Sequence, residues 1–290
     1  MCDYAVRALK GNPMAKKSAT ENIRTIRPII ASGKTKLAGI ETDSTCGFKG
    51  DKATTIAVMA QLNAQLVELQ NVLYAEHKHK VLVVLQAMDT GGKDGCIRKV
   101  FSGINPQGVH IASFKVPTAL ELDHDYLWRV HQRVPGKGEM VVFNRSHYED
   151  VLITRVHGWI DDRTAKRRFR QINDFEAMLV EEGTIVLKFF LHISKDEQRQ
   201  RLQDRLDDES RTWKFNLGDL AEREKWNDYQ SAYQDALNAT SSQHAPWYIV
   251  PADRKWVRDV YVASVLVNAL NQLGMQYPDP PAGLDKVVIK

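Results

Sequence analysis

The sequence predicts an α/β fold, a parallel sheet flanked by helices, and three observations carry that expectation. Residues 81–85 are an aliphatic run with no polar alternation, the mark of a strand buried on both faces. Four further apolar strand candidates follow, with segments of helical character between them. Directly after the first strand comes a short loop holding two adjacent glycines and a lysine, and a helix begins where the loop ends.

Taken in order, residues 1–50 are polar, glycine-punctuated and without strong periodicity, so they read as an extended or partly disordered N-terminal arm, with Met14 an alternative start. From 54 to 78, Ile56, Met59, Leu62, Leu66, Leu69 and Leu73 recur at helical spacing and predict one long helix leading into the first strand. The other strands are expected at 109–114, 139–143, 184–193 and 247–250, with helices at 119–133 and 165–180 among them. Ser194-Lys195-Asp196-Glu197 has the pattern of a capping box and opens a helix after the fourth of the five strands. A last helix at 255–273 has an apolar face, like the one at 54–78, that packs either on the core or on another subunit. Sites in such sheets lie outside the carboxyl ends of the strands, which directs attention to Asp89, Lys115, Asn144 and the segment after Ile193.

Composition narrows the class. With 290 residues, 43% hydrophobic and 26% charged, the chain suits one large α/β domain. No run approaches the roughly 18 apolar residues of a membrane span, and the N-terminus lacks the apolar core of a secretory signal, so the expected setting is the cytoplasm. Cys2, Cys46 and Cys96 are too few and too scattered for a disulfide framework or a zinc site, and the nine histidines show no ligand spacing. Cys96 sits just past the glycine loop, where a small helical residue is a better reading than a reactive thiol. The net charge is only +4, yet Arg163, Lys166, Arg167, Arg168 and Arg170 place five cations in eight residues: a solvated helix face, a nucleic-acid patch or a guide for a polyanion.

The chemistry concentrates in the loop at 87–93. Gly91 and Gly92 allow consecutive backbone N–H groups to turn around an anion, Lys93 adds a charge, and the helix starting at Asp94 brings its N-terminus to the same place. The stretch from Thr90 to Gly95 is therefore the expected phosphate-binding segment. It departs from the P-loop pattern G-x-x-x-x-G-K-[ST] twice, with Ala87 for the first glycine and Asp94 for the hydroxyl that meets magnesium. Asp89 is the preferred magnesium ligand, since that ion takes hard oxygens. The segment EMVVFNRSHYED has the shape of a Walker B strand ending in Asn144, whose amide oxygen is a second, uncharged metal donor, and Arg145 follows with a guanidinium fork suited to phosphate. On the helix after Ser194, Arg201 and Arg205 are four apart and share a face, with Arg199 and Arg211 extending the charge. Arginines so placed neutralise a transferring phosphoryl group, or merely pair with Asp204, Asp207 and Asp208 at the surface.

AMDTGGKDG, FKVPT, FNRSHYEDVL, the arginine-bearing helix with Trp213-Lys214-Phe215, and PADRKWVR together resemble polyphosphate kinase family 2, in that order, over roughly residues 48–270. The resemblance implies a P-loop kinase fold with an inserted helical lid at about 195–232, within a domain at 51–275 followed by a tail at 276–290. It implies phosphoryl transfer between inorganic polyphosphate and nucleotides with magnesium, or manganese in its place, in a homo-oligomer, a dimer or tetramer. Matched by position, Asp89 and Lys93 look like the catalytic pair, and Arg145 and the lid residue Arg205 like phosphate-binding arginines. Arg201 joins the polyphosphate side, while Lys115, Arg129, Arg133, Asn144 and Glu149 are expected on the nucleotide side. Many members carry aspartate where this chain has Asn144, which weakens a metal role there. FNRSHYEDVL is most similar to the subgroup acting on both AMP and ADP; guanine nucleotides are further candidates. Nucleic acid and membrane are not expected partners.

Two other readings cover part of the sequence. An ATP-dependent P-loop nucleoside monophosphate kinase would share the loop, but Asp94 counts against an orthodox ATP site. A non-catalytic polyanion- or RNA-binding protein would share the charge, but no RNA motif with interleaved aromatics is present.

Overall fold

A computed structural model describes residues 26–284 and 287–289. Six strands form one sheet: β1 (Ile29–Ile30), β2 (Lys80–Ala87), β3 (Val109–Ser113), β4 (Met140–Asn144), β5 (Thr184–His192) and β6 (Trp247–Pro251), in the spatial order β1-β6-β5-β2-β4-β3. All neighbours run parallel except β1, which joins the β6 edge antiparallel. β2 is central. Its aliphatic run at 81–85 is wholly buried because β5 and β4 flank it and helices cover both faces, so polar alternation has no solvent face to serve.

The helices are α1 (Lys52–Glu76), α2 (Lys93–Val100), α3 (Ala119–Leu122), α4 (Trp128–His131), α5 (Ile153–Val156), α6 (Asp162–Glu181), α7 (Lys195–Asp207), α8 (Gly218–Glu224), α9 (Trp226–Thr240) and α10 (Lys255–Asn271). α1 starts at Asp51, whose carboxylate accepts from Thr54 N at 2.7 Å, and buries Val58, Leu62, Leu66 and Leu73. Its apolar stripe packs against α10, so the two helices whose faces the sequence left open cover one another within the chain. Among the described residues no helix is long and apolar enough to cross a membrane.

Three expectations need correction. Residues 26–50 are not a loose arm: β1 pairs with β6, Tyr261 Oη accepts from Ile29 N at 2.7 Å, Leu37 is buried, and Phe48 meets Trp256 edge-on. Their contacts lie some 200 residues away and leave no local periodicity. Met14, Cys2 and the rest of the proposed arm lie outside the described residues. The helix expected at 119–133 is broken into α3 and α4, because Thr118 and Glu121 close a capping box at the start of one while Asp125 Oδ1 accepts from Leu127 N and turns the chain before the other. The lid bound near 232 falls inside α9, which runs on to Thr240 with Ala232, Tyr233, Ala236 and Leu237 buried in the core.

Candidate active site

The parallel registers bring strand ends to one level. Leu85 pairs with Asn144, and Asn144 with Ser113, so the segments after β2, β3 and β4 open along one rim. After Ala87 the chain turns through Gly91 N to Met88 O at 2.9 Å, passes Thr90 in the left-handed region at φ 60°, and enters α2 at Gly92, φ 94°. Only a residue without Cβ fits Gly91, since a Cβ there would lie 2.4 Å from the Ala87 Cβ. Alanine at 87, the first departure from the P-loop pattern, thus depends on glycine at 91. No side chain caps α2, so its first N–H groups face the loop's concavity. Lys93 folds back, donating from Nζ to Ala87 O at 3.3 Å. Burial and the nearby Arg145 push its ammonium below the ordinary lysine range, against Asp89, Glu149 and Asp94.

From the end of β4, Arg145 sits at φ 65°, a left-handed conformation that aims its side chain across the loop. Its Nη2 lies 3.1 Å from Asp89 Oδ1 and its Nη1 3.9 Å from Glu149 Oε2. Asn144 donates from Nδ2 to Asp94 Oδ1 at 2.8 Å, tying the end of β4 to the first turn of α2. Burial raises the Glu149 carboxyl, with Arg145 and Lys93 opposing. With its amide oriented to satisfy both neighbours, Gln86 donates to Glu149 Oε1 at 3.0 Å and accepts from Ser146.

A buried network fixes the Arg145 turn from below. Lys188, on β5 and fully buried, donates from Nζ to Glu176 Oε2 (2.5 Å), Tyr148 Oη (2.9 Å) and Thr240 O (2.7 Å), while Tyr148 Oη donates to Glu176 Oε1 at 2.8 Å. His147 Nε2 approaches the same carboxylate at 3.3 Å. Lys188 holds Glu176 ionised despite its burial, so the His-Tyr pair of the FNRSHYED motif is scaffold and Arg145 its working end.

The lid side closes the cleft. Gln198 on α7 donates to Asp89 O at 3.0 Å, and Tyr233 Oη on α9 donates to Ala87 O at 2.9 Å. Asp89, Arg145, Glu149, Glu222, Tyr229 and Tyr233 line a cleft beside the loop. Glu222 accepts from Tyr229 Oη (2.5 Å) and meets His157 Nε2 (2.9 Å), latching α8 to the turn after α5.

Arg201 and Arg205 share a helix but not a fate. Arg205 reaches Lys214 O at 3.3 Å and Asp219 Oδ2 at 3.4 Å within the lid. Arg201 is 6% exposed and does not stand free as its helical spacing suggests. It donates to Glu197 Oε1 (2.6 Å), Thr90 O (3.1 Å), Ala252 O (2.5 Å) and Asp253 O (3.3 Å), which leaves one N–H on Nη1. Asp253 itself caps the start of α7 through Ser194 N (2.9 Å) and accepts from Thr42 Oγ1 (2.6 Å), so the N-terminal segment braces the loop through Arg201.

The other expected residues spread along the rim. Arg129 is buried, stacks on Phe114, and donates to Lys115 O at 2.9 Å, so it shapes the turn after β3 while the side chains of Lys115 and Arg133 stand exposed. Of the basic cluster, Arg163, Lys166, Arg167 and Arg170 are exposed on α6; Arg168 packs on Tyr126 and donates to Asp150 O at 2.6 Å. Burial pushes the Cys96 thiol up to about 12, which rules out a reactive thiolate there.

Sequence reasoning missed Arg258, Gln198, the Lys188–Glu176 pair and the aromatic wall of Tyr229 and Tyr233. Arg258 closes the PADRKWVR motif but carries no local sign of its destination. Lys188 had one: a lone lysine within the apolar run TIVLKFFLH.

Comparison with known proteins places this geometry among relatives. The family model of polyphosphate kinase 2 (PPK2) matches residues 49–278. The AMP/ADP-polyphosphate phosphotransferase of Meiothermus ruber is 55% identical over 258 residues, 89% of this chain and 97% of that protein. The ADP-polyphosphate phosphotransferase of Rhodopseudomonas palustris is 47% identical over 227 residues, 74% of this chain and 78% of that protein. Among solved structures, polyphosphate kinase 2 from Arthrobacter aurescens superposes with a TM-score of 0.87 at 46% identity, covering 89% of this chain and 92% of that one.

Proposed function

The chain belongs to the polyphosphate kinase 2 family, and from that premise we infer that its cleft moves phosphoryl groups reversibly between inorganic polyphosphate and nucleotides, taking AMP to ADP and ADP to ATP. One observation carries the chemistry: Lys93, Arg145 and the unblocked N-terminus of α2 converge on a single glycine loop beside Asp89, without a nucleophile–base pair. None is needed. The attacking group is an acceptor phosphate oxygen, already anionic, so the protein's task is to hold two polyanions in line and offset their repulsion.

Lys93 and Arg145 supply that charge, and Asp89 fixes the Arg145 fork at 3.1 Å. Arg205, half-exposed on the lid, stands ready to exchange Asp219 for substrate. Tyr229, partly exposed in the cleft, offers the aromatic surface a nucleotide base packs against. Magnesium, with manganese as substitute, would be held by Asp89, whose Oδ2 has no protein partner among the described residues, and by Asp94. No group of three acidic, histidine or cysteine side chains encloses a metal among the described residues, so the remaining ligands would be phosphates and water, as magnesium favours. Bound there, the metal would screen charge on the phosphates. Asn144 has its amide nitrogen committed to Asp94 and is a weaker candidate ligand. A cytoplasmic homo-oligomer accepting adenine and also guanine nucleotides completes the reading; Ile111, Val116, Leu120 and Leu122, exposed around edge strand β3, supply apolar surface for a second copy.

The test is direct: protein, magnesium and polyphosphate with AMP, ADP, GMP or GDP, products separated by chromatography. ADP and ATP should form. If polyphosphate supports no transfer to any nucleotide, or only ATP serves as donor, the reading fails.

A further inference from the structure

Behind the cleft wall, one histidine stands between an ammonium and a carboxylate. His157, the residue that ends α5, has Nε2 2.9 Å from Glu222 Oε1 and 3.1 Å from Oε2, while Lys225 Nζ, at the junction of α8 and α9, lies 3.1 Å from its Nδ1. Those contacts fix the tautomer. An ammonium only donates, so Nδ1 accepts from Lys225, and the ring proton sits on Nε2 and is donated to Glu222. Glu222 Oε2 also accepts from Tyr229 Oη at 2.5 Å. Burial pushes the Glu222 carboxyl up, yet the bonds from Tyr229 and His157 hold it below the ordinary glutamate range, so it serves both donors as an anion. Glu222 and Tyr229 line the cleft beside Asp89 and Arg145, whereas His157 and Lys225 do not.

The order Lys225, His157, Glu222, Tyr229 explains why a neutral ring is needed. Lys225 follows Glu222 by three residues, close enough on a helical turn for the two to pair directly. With the imidazole gone, the ammonium loses its acceptor and Glu222, a quarter exposed, is free to swing toward it and away from the Tyr229 hydroxyl. The imidazole keeps the two charges apart and hands the carboxylate to Tyr229. It also couples the ring to α5, whose Ile153 lines the same cleft.

We propose that His157 is a positioning residue for the nucleotide: seated on Lys225, it orients Glu222 and through it sets the Tyr229 ring against which the base packs. The proposal rests on the nucleotide reading above. The competing role is packing alone, since the His157 ring also lies 5.0 Å from that of the exposed Trp159.

Two substitutions separate these roles. His157→Phe keeps a ring beside Trp159 but neither donor nor acceptor; His157→Gln loses the ring but can donate to Glu222 and accept from Lys225. ADP is varied at saturating polyphosphate and polyphosphate at saturating ADP, alongside calorimetric titration with ADP alone. His157→Phe should raise the KM and the Kd for ADP roughly five- to tenfold, with the KM for polyphosphate within about twofold of wild type, and His157→Gln should recover most of the loss. Tyr229→Phe, which severs the same chain one bond on, should match His157→Phe, and the double variant should be no worse than either single. A near-wild-type His157→Phe with an impaired His157→Gln, equal changes in both KM values, or additive effects in the double variant each overturn the positioning role. Should His157→Phe fail to fold, His157→Gln and Tyr229→Phe decide, with an unchanged ADP Kd in Tyr229→Phe counting against it. Wild-type protein that binds ADP with this dependence yet transfers nothing from polyphosphate would retain the positioning role and refute the transfer; transfer indifferent to all the variants would do the reverse.

Discussion

Gly92→Ala separates the two demands the loop makes on that position. The residue sits at φ 94°, where an L-residue pays about 1–2 kcal/mol. Its new Cβ would also meet Arg258 Nη1 at 2.1 Å, and that guanidinium is locked to Asp259 and cannot withdraw cheaply. Overpacking of that kind costs about 1–3 kcal/mol, so the sum is about 2–5 kcal/mol. Gly183→Ala is the matched control, with φ 85° and nothing within 4 Å of the added carbon; it carries the backbone strain alone. Thermal unfolding should drop by roughly 2–4 °C for each kcal/mol in a domain of this size, and so further for Gly92→Ala than for Gly183→Ala. Turnover should fall at least about a hundredfold in Gly92→Ala, because a shift near 1 Å in the loop misplaces the phosphates, and stay near wild type in the control. Two variants alike in both unfolding temperature and rate would refute the reasoning that Gly92 is seated against Arg258.

Asp89→Asn and Lys93→Ala should each lower kcat by roughly 10²–10³-fold with little change in unfolding temperature, since both act on charge in the transition state; steady-state rates beside a melting curve check this. Lys188→Met should destabilise by about 3–5 kcal/mol in urea titration by stranding Glu176 in the core, and adding Glu176→Leu should recover much of the loss; a double variant as weak as the single would sink the network. Because burial raises the Glu149 carboxyl in the folded state, the native protein binds a proton there that the unfolded chain does not. Stability from this group therefore rises as pH falls from neutral through its folded value, and the gain is complete at the ordinary glutamate range. Glu149→Gln should flatten that part of the wild-type stability–pH curve; parallel curves would contradict it.

How legible the molecule was depends on how local each cause is. The strand at 81–85 and the loop glycines could be read directly, because burial on both faces and backbone freedom write themselves into consecutive residues. Arg201 and Arg205 show the limit. Helical spacing put them on one face, yet carbonyls of Ala252 and Asp253, about 50 residues on, claimed Arg201 and left Arg205 to the lid. Arg258 is the same case in reverse: its role exists only because α10 packs beside α2. The segment 26–50 looked unstructured because its order comes from β6, Tyr261 and Asp253, none of them nearby in sequence. Long helices held their expected places to within a few residues; the stretch at 119–133 did not, because two local caps outweighed its composition.

The bond from Thr42 to Asp253 spans 211 positions, and the Arg201 clamp on Thr90 hangs from the same aspartate and its neighbour. A chain emerging from the ribosome would therefore have made its glycine loop long before the parts that brace it. Closing so wide a circuit is slow, and it comes last. Catalytic competence in this protein is accordingly a late event of folding, reached only when Thr42 and Asp253 have met.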